Sequence, residues 1–128
     1  MTPQETQQLL AWCARFDGRP PSKSTVEAWT AALHKDLTLG DAKQIVANHY
    51  GRTDRQVTVA NINNAYTTLR GERLHQWPQA KWPLPPPNLS AEDYLVYQRA
   101  VVKALGNGAN PEQAKHYALG HLQPEGTR

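Results

Sequence analysis

The sequence predicts an all-α protein, with a small bundle of about four helices, a Trp/Pro-rich linker and a C-terminal helical pair. Apolar residues recur at helical spacing in several short segments, which is typical of amphipathic helices. No strand pattern extends beyond a few residues. Five of the ten prolines lie between Pro78 and Pro87, where no helix continues.

The first predicted helix begins at Thr2, because a threonine cap followed by proline is a favoured helix start. Asp17, Gly18 and the following pair of prolines end it. Its apolar stripe is predicted to face the core and comprises Leu9, Leu10, Cys13 and Phe16, with Trp12 beside them.

Three further helices follow within the bundle. The second begins at Ser24 or Thr25, the third is capped by Thr38 and ends at Gly51, and the fourth is capped by Thr58. Their inward positions repeat every three or four residues. These positions are Val26, Trp29, Ala32 and Leu33; Leu39, Ala42, Ile45, Val46, His49 and Tyr50; and Val59, Ile62, Tyr66 and Leu69.

The stretch after the bundle is predicted to be extended and polyproline-like, because proline fixes its own φ and restricts the preceding residue. Ser90 then caps a fifth helix, and Asn110 with Pro111 starts a sixth. This C-terminal pair buries little apolar surface by itself. We therefore expect it to pack on the first domain, on a second copy or on a partner.

The predicted organisation has four parts. Residues 1–74 form a helical domain, residues 75–90 a Trp/Pro-rich linker, residues 91–122 a C-terminal helical hairpin and residues 123–128 a tail.

Composition excludes few function classes. The net charge is +3, with no dense basic stripe, which permits contact with nucleic acid without requiring it. No run of apolar residues is long enough for a membrane span, and no secretory signal pattern is present. A single cysteine fits a reducing compartment, so we expect the cytoplasm.

We identify no catalytic residue, no metal ligands and no cofactor site, and expect a non-enzymatic protein. The histidines lack ligand spacing, since His116 and His121 are five residues apart. Cys13 falls on an apolar helix face, which favours a buried, inert thiol. No glycine-rich phosphate loop is present, because the Gly106–Gly108 segment lacks a following Lys-Ser/Thr.

Two sets of residues are candidates for binding. Exposed tryptophan is unfavourable unless something covers it, so the Trp-Pro units either strap the linker onto the helical domain or anchor a protein partner. The partner-binding candidates are Trp77, Trp82, Pro85, Tyr94 and Tyr97. Basic residues around the fourth helix either form a solvated rim or contact phosphates. These nucleic-acid candidates are Arg52, Arg55, Arg70, Arg73 and Lys81.

A group of short segments between residues 25 and 62 carries a family resemblance. They are TVEAW at 25–29, Leu33 with Asp36-Leu37, Asp41-Ala42 before Val46 and His49-Tyr50, and VTVANI at 57–62. Together they resemble the N-terminal domain of the phage replicative-helicase loader/inhibitor family. The resemblance implies a small all-helical adaptor that binds the hexameric replicative helicase. It also implies that the adaptor delivers the helicase to single-stranded DNA or to an origin-bound initiator and restrains the helicase beforehand. The family has no catalytic residues, so the resemblance implies none here.

The resemblance thus implies a phage or prophage replication adaptor that acts in the cytoplasm of a bacterial host and assists or restrains helicase loading. One alternative is a small DNA-binding regulator that uses residues 58–74 on duplex or single-stranded DNA. A further alternative is an interaction protein for another host factor. The residues do not indicate an oligomeric state.

Overall fold

The computed structural model describes residues 1–122 and is all-helical, which confirms the predicted fold class. Within that range there is no strand. A short 3₁₀ helix spans Gln79–Lys81. The α-helices, in chain order, are α1 (Pro3–Asp17), α2 (Lys23–Ala32), α3 (Leu39–Arg52), α4 (Val59–His75), α5 (Ala91–Gly106) and α6 (Pro111–Leu119). The predicted tail at 123–128 lies outside the described residues.

Side-chain caps fix most of the helix starts where the sequence places them. Thr2 and Asn110 form reciprocal capping boxes with the residues three positions later, and Thr38 and Ser90 accept a hydrogen bond from a first-turn amide. Thr58 Oγ1 accepts from the Asn61 amide at 3.1 Å, while Asn61 Oδ1 accepts from the Thr58 amide. These caps satisfy amides that have no partner within the helix.

Two helix boundaries differ from the prediction. Helix α2 begins at Lys23, one residue before Ser24 and two before Thr25, the two predicted starts, because Ser22 caps the helix and its Oγ accepts the Thr25 amide at 3.2 Å. Helix α3 continues through Gly51 to Arg52, and the Thr53 amide bonds to the His49 carbonyl. Gly51 does not adopt the left-handed conformation that ends many helices.

The chain divides into two compact units, Met1–Thr68 and a second that begins at Leu69. The division falls within α4, whereas the sequence places it at residue 74, where the helical periodicity stops. The difference arises because Leu74, in the last turns of α4, belongs to the second hydrophobic cluster. The Trp/Pro-rich stretch belongs to that second unit as well.

In the first unit, α1 packs on both α2 and α3 around one hydrophobic cluster. Thr6 is its buried polar residue, with Oγ1 bonded to the Thr2 carbonyl and to Thr30 Oγ1. Phe16 departs from the prediction, since it is 44% exposed despite lying on the apolar stripe of α1. The buried apolar residues are Leu9, Leu10, Cys13, Trp29, Leu33, Leu37, Ala42, Ile45, Val46, Val57, Ile62 and Tyr66.

The second unit is built on the packing of α5 against α6. Buried alanines at positions 100 and 104 of α5, and at 114 and 118 of α6, recur every four residues and permit close approach of the two helices. Tyr97, Val101 and Leu105 complete the buried cluster. Trp77, Trp82 and Leu89 pack against it, so the Trp/Pro-rich stretch supplies apolar surface that the helical pair lacks.

None of the helices between residues 1 and 122 combines the length and apolar character needed to cross a bilayer.

A matched pair of glycines tests the packing of the second unit. A methyl group added at Gly106 would lie 2.7 Å from Arg70 Cγ, whereas Gly71, exposed in α4, has nothing within 4 Å of that position. We expect Gly106→Ala to lower the free energy of unfolding by about 1–3 kcal/mol. We expect Gly71→Ala to raise it by about 0.5–1 kcal/mol through helix propensity. Urea denaturation followed by circular dichroism measures both, and equal stabilisation would contradict the packing described.

Candidate functional site

The Trp/Pro-rich stretch is held in place by two aromatic side chains that donate hydrogen bonds to its backbone. Trp82 Nε1 donates to the Trp77 carbonyl at 2.8 Å, and the Tyr97 hydroxyl donates to the Leu84 carbonyl at 3.0 Å. Tyr97 is 2% exposed, and burial raises its pKa, so the hydroxyl stays protonated as a donor. Because proline has no amide hydrogen, these side-chain donors replace the backbone donors that order a regular helix or strand.

The same residues form a groove that encloses about 200 Å³. Its walls come from the 3₁₀ helix and the stretch that follows it, and from α5 between Tyr94 and Val101. The groove lining consists of Gln79, Trp82, Pro83, Leu84, Pro85, Tyr94, Tyr97, Gln98 and Val101. Four of the five partner-binding candidates therefore meet at one place, namely Trp82, Pro85, Tyr94 and Tyr97.

Trp77, the fifth candidate, does not line the groove. It is half-buried, packs on the cluster formed by α5 and α6, and offers its carbonyl to Trp82. Trp82 combines two roles, because it packs on that cluster and also forms part of the groove wall. Both tryptophans pack against the core of the second unit. The interpretation in which they strap the linker had placed them against the first helical domain instead.

Apolar surface is exposed around this groove. Leu84 is 82% exposed and Tyr94 is 45% exposed, and both line the groove. Leu84 was missed as a candidate, although one signal was present in the sequence. It is a single large apolar residue between Pro83 and Pro85, where no helix can form to bury it.

The five basic candidates fall into two sets. Arg52 and Arg55 are exposed near the end of α3 in the first unit. Arg70, Arg73 and Lys81 belong to the second unit, where Arg73 Nη1 donates to the Gly106 carbonyl at 3.2 Å. The Arg70 side chain lies against Gly106 as well. Arg70 and Arg73 thus contact the C-terminal end of α5, while Lys81 is exposed.

A polar cluster in the first unit was also missed by sequence reasoning. Arg19 donates to Asp17 Oδ2 from Nε at 3.0 Å and from Nη2 at 2.8 Å, and Nη2 also donates to the Val57 carbonyl at 3.0 Å. The Tyr50 hydroxyl donates to Asp17 and accepts the Val57 amide at 2.9 Å. We call Asp17, Arg19 and Tyr50 the polar clasp, because they join the end of α1 to α3 and to the link before α4.

The clasp shifts the pKa of its members. Partial burial opposes ionisation of Asp17, but the hydrogen bonds from Arg19 and Tyr50 outweigh it and lower the pKa of that carboxyl. Burial and the bond to Asp17 raise the pKa of Tyr50. At neutral pH the clasp therefore holds an ionised aspartate and a protonated tyrosine.

Comparison with protein-family models, with curated proteins and with solved structures gave no significant match. Among residues 1–122, no three or more His, Cys, Asp or Glu side chains lie together in a way that could hold a metal ion. The groove and its exposed apolar rim are accordingly the features on which a functional proposal rests.

Replacement of Asp17 tests the polar clasp. Asp17→Asn is expected to lower the free energy of unfolding at pH 7 by about 1–3 kcal/mol, because charge-assisted hydrogen bonds are lost. Since folding lowers the pKa of Asp17, its contribution is complete above about pH 3.9, the ordinary aspartate value, and is lost as pH falls through the lower folded value. Denaturation curves of both proteins should therefore converge in acid.

Asp54→Asn is the control, because Asp54 is an exposed carboxylate on the link that follows α3. Its effect at pH 7 should stay within about 0.5 kcal/mol. The clasp adds no specific stability if Asp17→Asn and Asp54→Asn change the free energy of unfolding equally. The same conclusion follows if the difference in stability between wild type and Asp17→Asn does not depend on pH.

Proposed function

We propose that the chain is a non-enzymatic adaptor of phage or prophage DNA replication that binds the replicative helicase of a bacterial host and assists or restrains its loading. The observation that carries the docking role is the groove in the second unit, where Trp82, Tyr94 and Tyr97 meet a rim that exposes Leu84. The choice of a helicase as partner rests on the family resemblance of residues 25–62.

The geometry of the groove suits a protein partner. Protein interfaces concentrate their binding free energy in a few aromatic and apolar anchors surrounded by polar contacts. The groove offers an apolar floor at Val101, and Tyr94 and Gln98 supply polar groups beside it. Its volume of about 200 Å³ suits a bulky side chain of the partner.

The groove is formed before any partner arrives, which favours binding. The bond from Tyr97 to the Leu84 carbonyl and the bond from Trp82 to the Trp77 carbonyl fix the two walls. A surface that is already ordered loses less conformational entropy on association. Leu84 is then presented outward without the need to order a loop.

Binding alone accounts for the proposed action on the helicase. An adaptor shifts the conformational equilibrium of its partner only as far as it prefers one state of the partner over another. A chain that binds the open or unloaded helicase more tightly would restrain it until DNA binding favours the other state. No covalent step is needed.

The environment of Cys13 supports a role without nucleophilic catalysis by this thiol. Cys13 is fully buried in the first unit, and burial raises its pKa to about 11. The thiolate is the nucleophilic form, and at neutral pH a thiol with this pKa is almost entirely protonated.

Leu84→Ala tests the docking groove with a purified bacterial replicative helicase hexamer as the binding partner. Removal of an exposed leucine that becomes buried in the complex is expected to cost about 1–2 kcal/mol, which corresponds to about 5–30-fold weaker binding. Biolayer interferometry with the full chain immobilised measures the dissociation constant. Thermal unfolding should stay unchanged, since Leu84 is 82% exposed.

Leu119→Ala provides the control, because Leu119 is an exposed leucine of α6 that does not line the groove. The control should bind like wild type. If the wild-type chain does not bind the helicase, the helicase assignment fails. If both leucine variants bind like wild type, the groove is not the docking surface.

A further inference from the structure

The first unit carries an aromatic surface that the proposed docking role does not use. The Phe16 ring stacks on Tyr50, with centroids 5.1 Å apart and planes inclined by 7°, and Trp12 meets Phe16 edge-on at 5.5 Å. We call Trp12, Phe16 and Tyr50 the aromatic platform. Phe16 is 44% exposed, while the Trp12 and Tyr50 rings are half-buried against the core of this unit. Stacked aromatic area at the surface is therefore held rigidly by the core beneath it.

Two cationic side chains lie against one end of the aromatic platform. The Arg15 guanidinium lies 5.6 Å from the Trp12 ring centre, and Lys43 Nζ lies 5.4 Å from it. Trp12 Nε1 donates to the Lys43 carbonyl at 3.1 Å, which fixes the indole relative to α3. Trp12, Arg15 and Lys43 also border a shallow cavity of about 230 Å³.

Arg15 and Lys43 form no ion pair within residues 1–122. No carboxylate of the described part of the chain lies within ion-pair distance of either residue. The other end of the aromatic platform borders a cavity of about 500 Å³ whose lining includes Asp17 and Asp54. Asp17 is paired with Arg19 in the polar clasp. Asp54 also lines that cavity but does not belong to the clasp.

We propose that the aromatic platform binds single-stranded DNA, with a base on the exposed ring of Phe16 and phosphates on Arg15 and Lys43, the two cations that lie over the Trp12 ring. Proteins that bind single strands without sequence preference combine exposed aromatic rings, on which bases stack, with cations that follow the backbone. Exposed Phe16, near cations that have no ion pair among residues 1–122, matches this combination. The cations of this surface are not the basic candidates around α4, since Arg15 belongs to α1 and Lys43 to the first half of α3.

The choice of DNA over RNA rests on the proposed replication function, because stacking and phosphate contact do not themselves distinguish the two. Stacking and phosphate contact do not read base edges, so we expect weak dependence on sequence. An adaptor with these two surfaces would contact the helicase through the second unit and the strand through the first.

Fluorescence anisotropy of a 3′-labelled thymidine 20-mer, titrated with the full chain at two salt concentrations, tests the proposal. We expect a dissociation constant in the micromolar range near 50 mM salt that rises with salt. A labelled 20-base-pair duplex should bind more weakly than the thymidine strand, because its bases are not free to stack on the aromatic platform. A uridine 20-mer should bind no more tightly than the thymidine strand, because stacking and phosphate contact do not favour RNA.

Three substitutions of Phe16 distinguish the contribution of base stacking to DNA binding from that of apolar area. Phe16→Ala is expected to weaken binding about five-fold or more, since the loss of one base–aromatic stack costs about that much. Phe16→Leu should weaken binding as well, because it keeps apolar area but has no ring, whereas Phe16→Trp should keep the wild-type affinity. Circular dichroism and thermal unfolding confirm that each variant is folded, which the exposure of Phe16 favours.

Charge variants identify the phosphate contacts. The double substitution of Arg15→Gln and Lys43→Gln should reduce the slope of log affinity against log salt by about 1.4, because each single-strand phosphate contact contributes about 0.7. The matched control, Lys23→Gln with Lys35→Gln, removes the same charge from exposed lysines of the first unit outside the aromatic platform. It should leave the slope unchanged.

Several outcomes would overturn the proposal. These are no binding of the thymidine strand at 50 mM salt, tighter binding of the uridine strand or the duplex, equal affinity of wild type and Phe16→Ala, or equal slopes for the two charge doubles. Helicase binding measured on the same Phe16 variants keeps the two proposals apart. If Phe16→Ala abolishes helicase binding and the thymidine strand is not bound, the aromatic platform is a protein interface and the DNA proposal is wrong.

Discussion

The absence of amide hydrogens in a run of prolines governs the second half of this molecule. Pro83 and the prolines at 85–87 cannot donate to a helix or a strand, so the stretch they occupy depends on side chains for its order. Trp82 and Tyr97 supply the donors, and each bonds to a backbone carbonyl of that stretch. These two hydrogen bonds hold the Trp/Pro-rich stretch in place as one wall of the groove.

This constraint also explains how a small helical pair acquires a core. Alanines allow α5 and α6 to approach closely, but they bury little apolar area. The missing area comes from Trp77, Trp82 and Leu89, which pack on the cluster. The same stretch covers the core and presents Leu84 outward. The residues that complete the core of the second unit therefore belong to the segment that forms its proposed binding surface.

The first unit is stabilised in a different way, by the close packing of three helices and by the polar clasp at their end. Asp17 and Tyr50 are joined through hydrogen bonds that favour the ionised aspartate. With the clasp and the core fixing the backbone, Phe16 remains at the surface and stacks on Tyr50. This aromatic surface lies beside Arg15 and Lys43, which form no ion pair in the described part of the chain, and the proposed contacts with DNA depend on it.

Local chemistry in the sequence was enough to predict the fold class and most helix starts. Thr2, Thr38, Ser90 and Asn110 cap helices because their side chains bond to nearby amides, which depends only on neighbouring residues. The start of α2 was missed because Ser22, like the two candidates chosen instead, is a good cap, and only the geometry decides among them.

Features that depend on distant contacts were not predictable in the same way. Helical spacing put Phe16 on the apolar stripe, but spacing alone does not reveal whether another element covers the end of that stripe. The groove was partly predicted, since Trp82, Pro85, Tyr94 and Tyr97 were chosen for their residue types. Their convergence requires the Tyr97 bond to Leu84, which joins residues thirteen positions apart.

Amide hydrogen exchange of the chain, free and saturated with the replicative helicase hexamer, measures most directly whether the groove in the second unit is the docking surface. We expect slower exchange in the complex at Leu84 and in the first half of α5, from Ala91 to Gln98, because Leu84, Tyr94, Tyr97 and Gln98 line the groove. Unchanged exchange in both segments, with protection confined to α1, α2 and α3, would contradict docking through this groove.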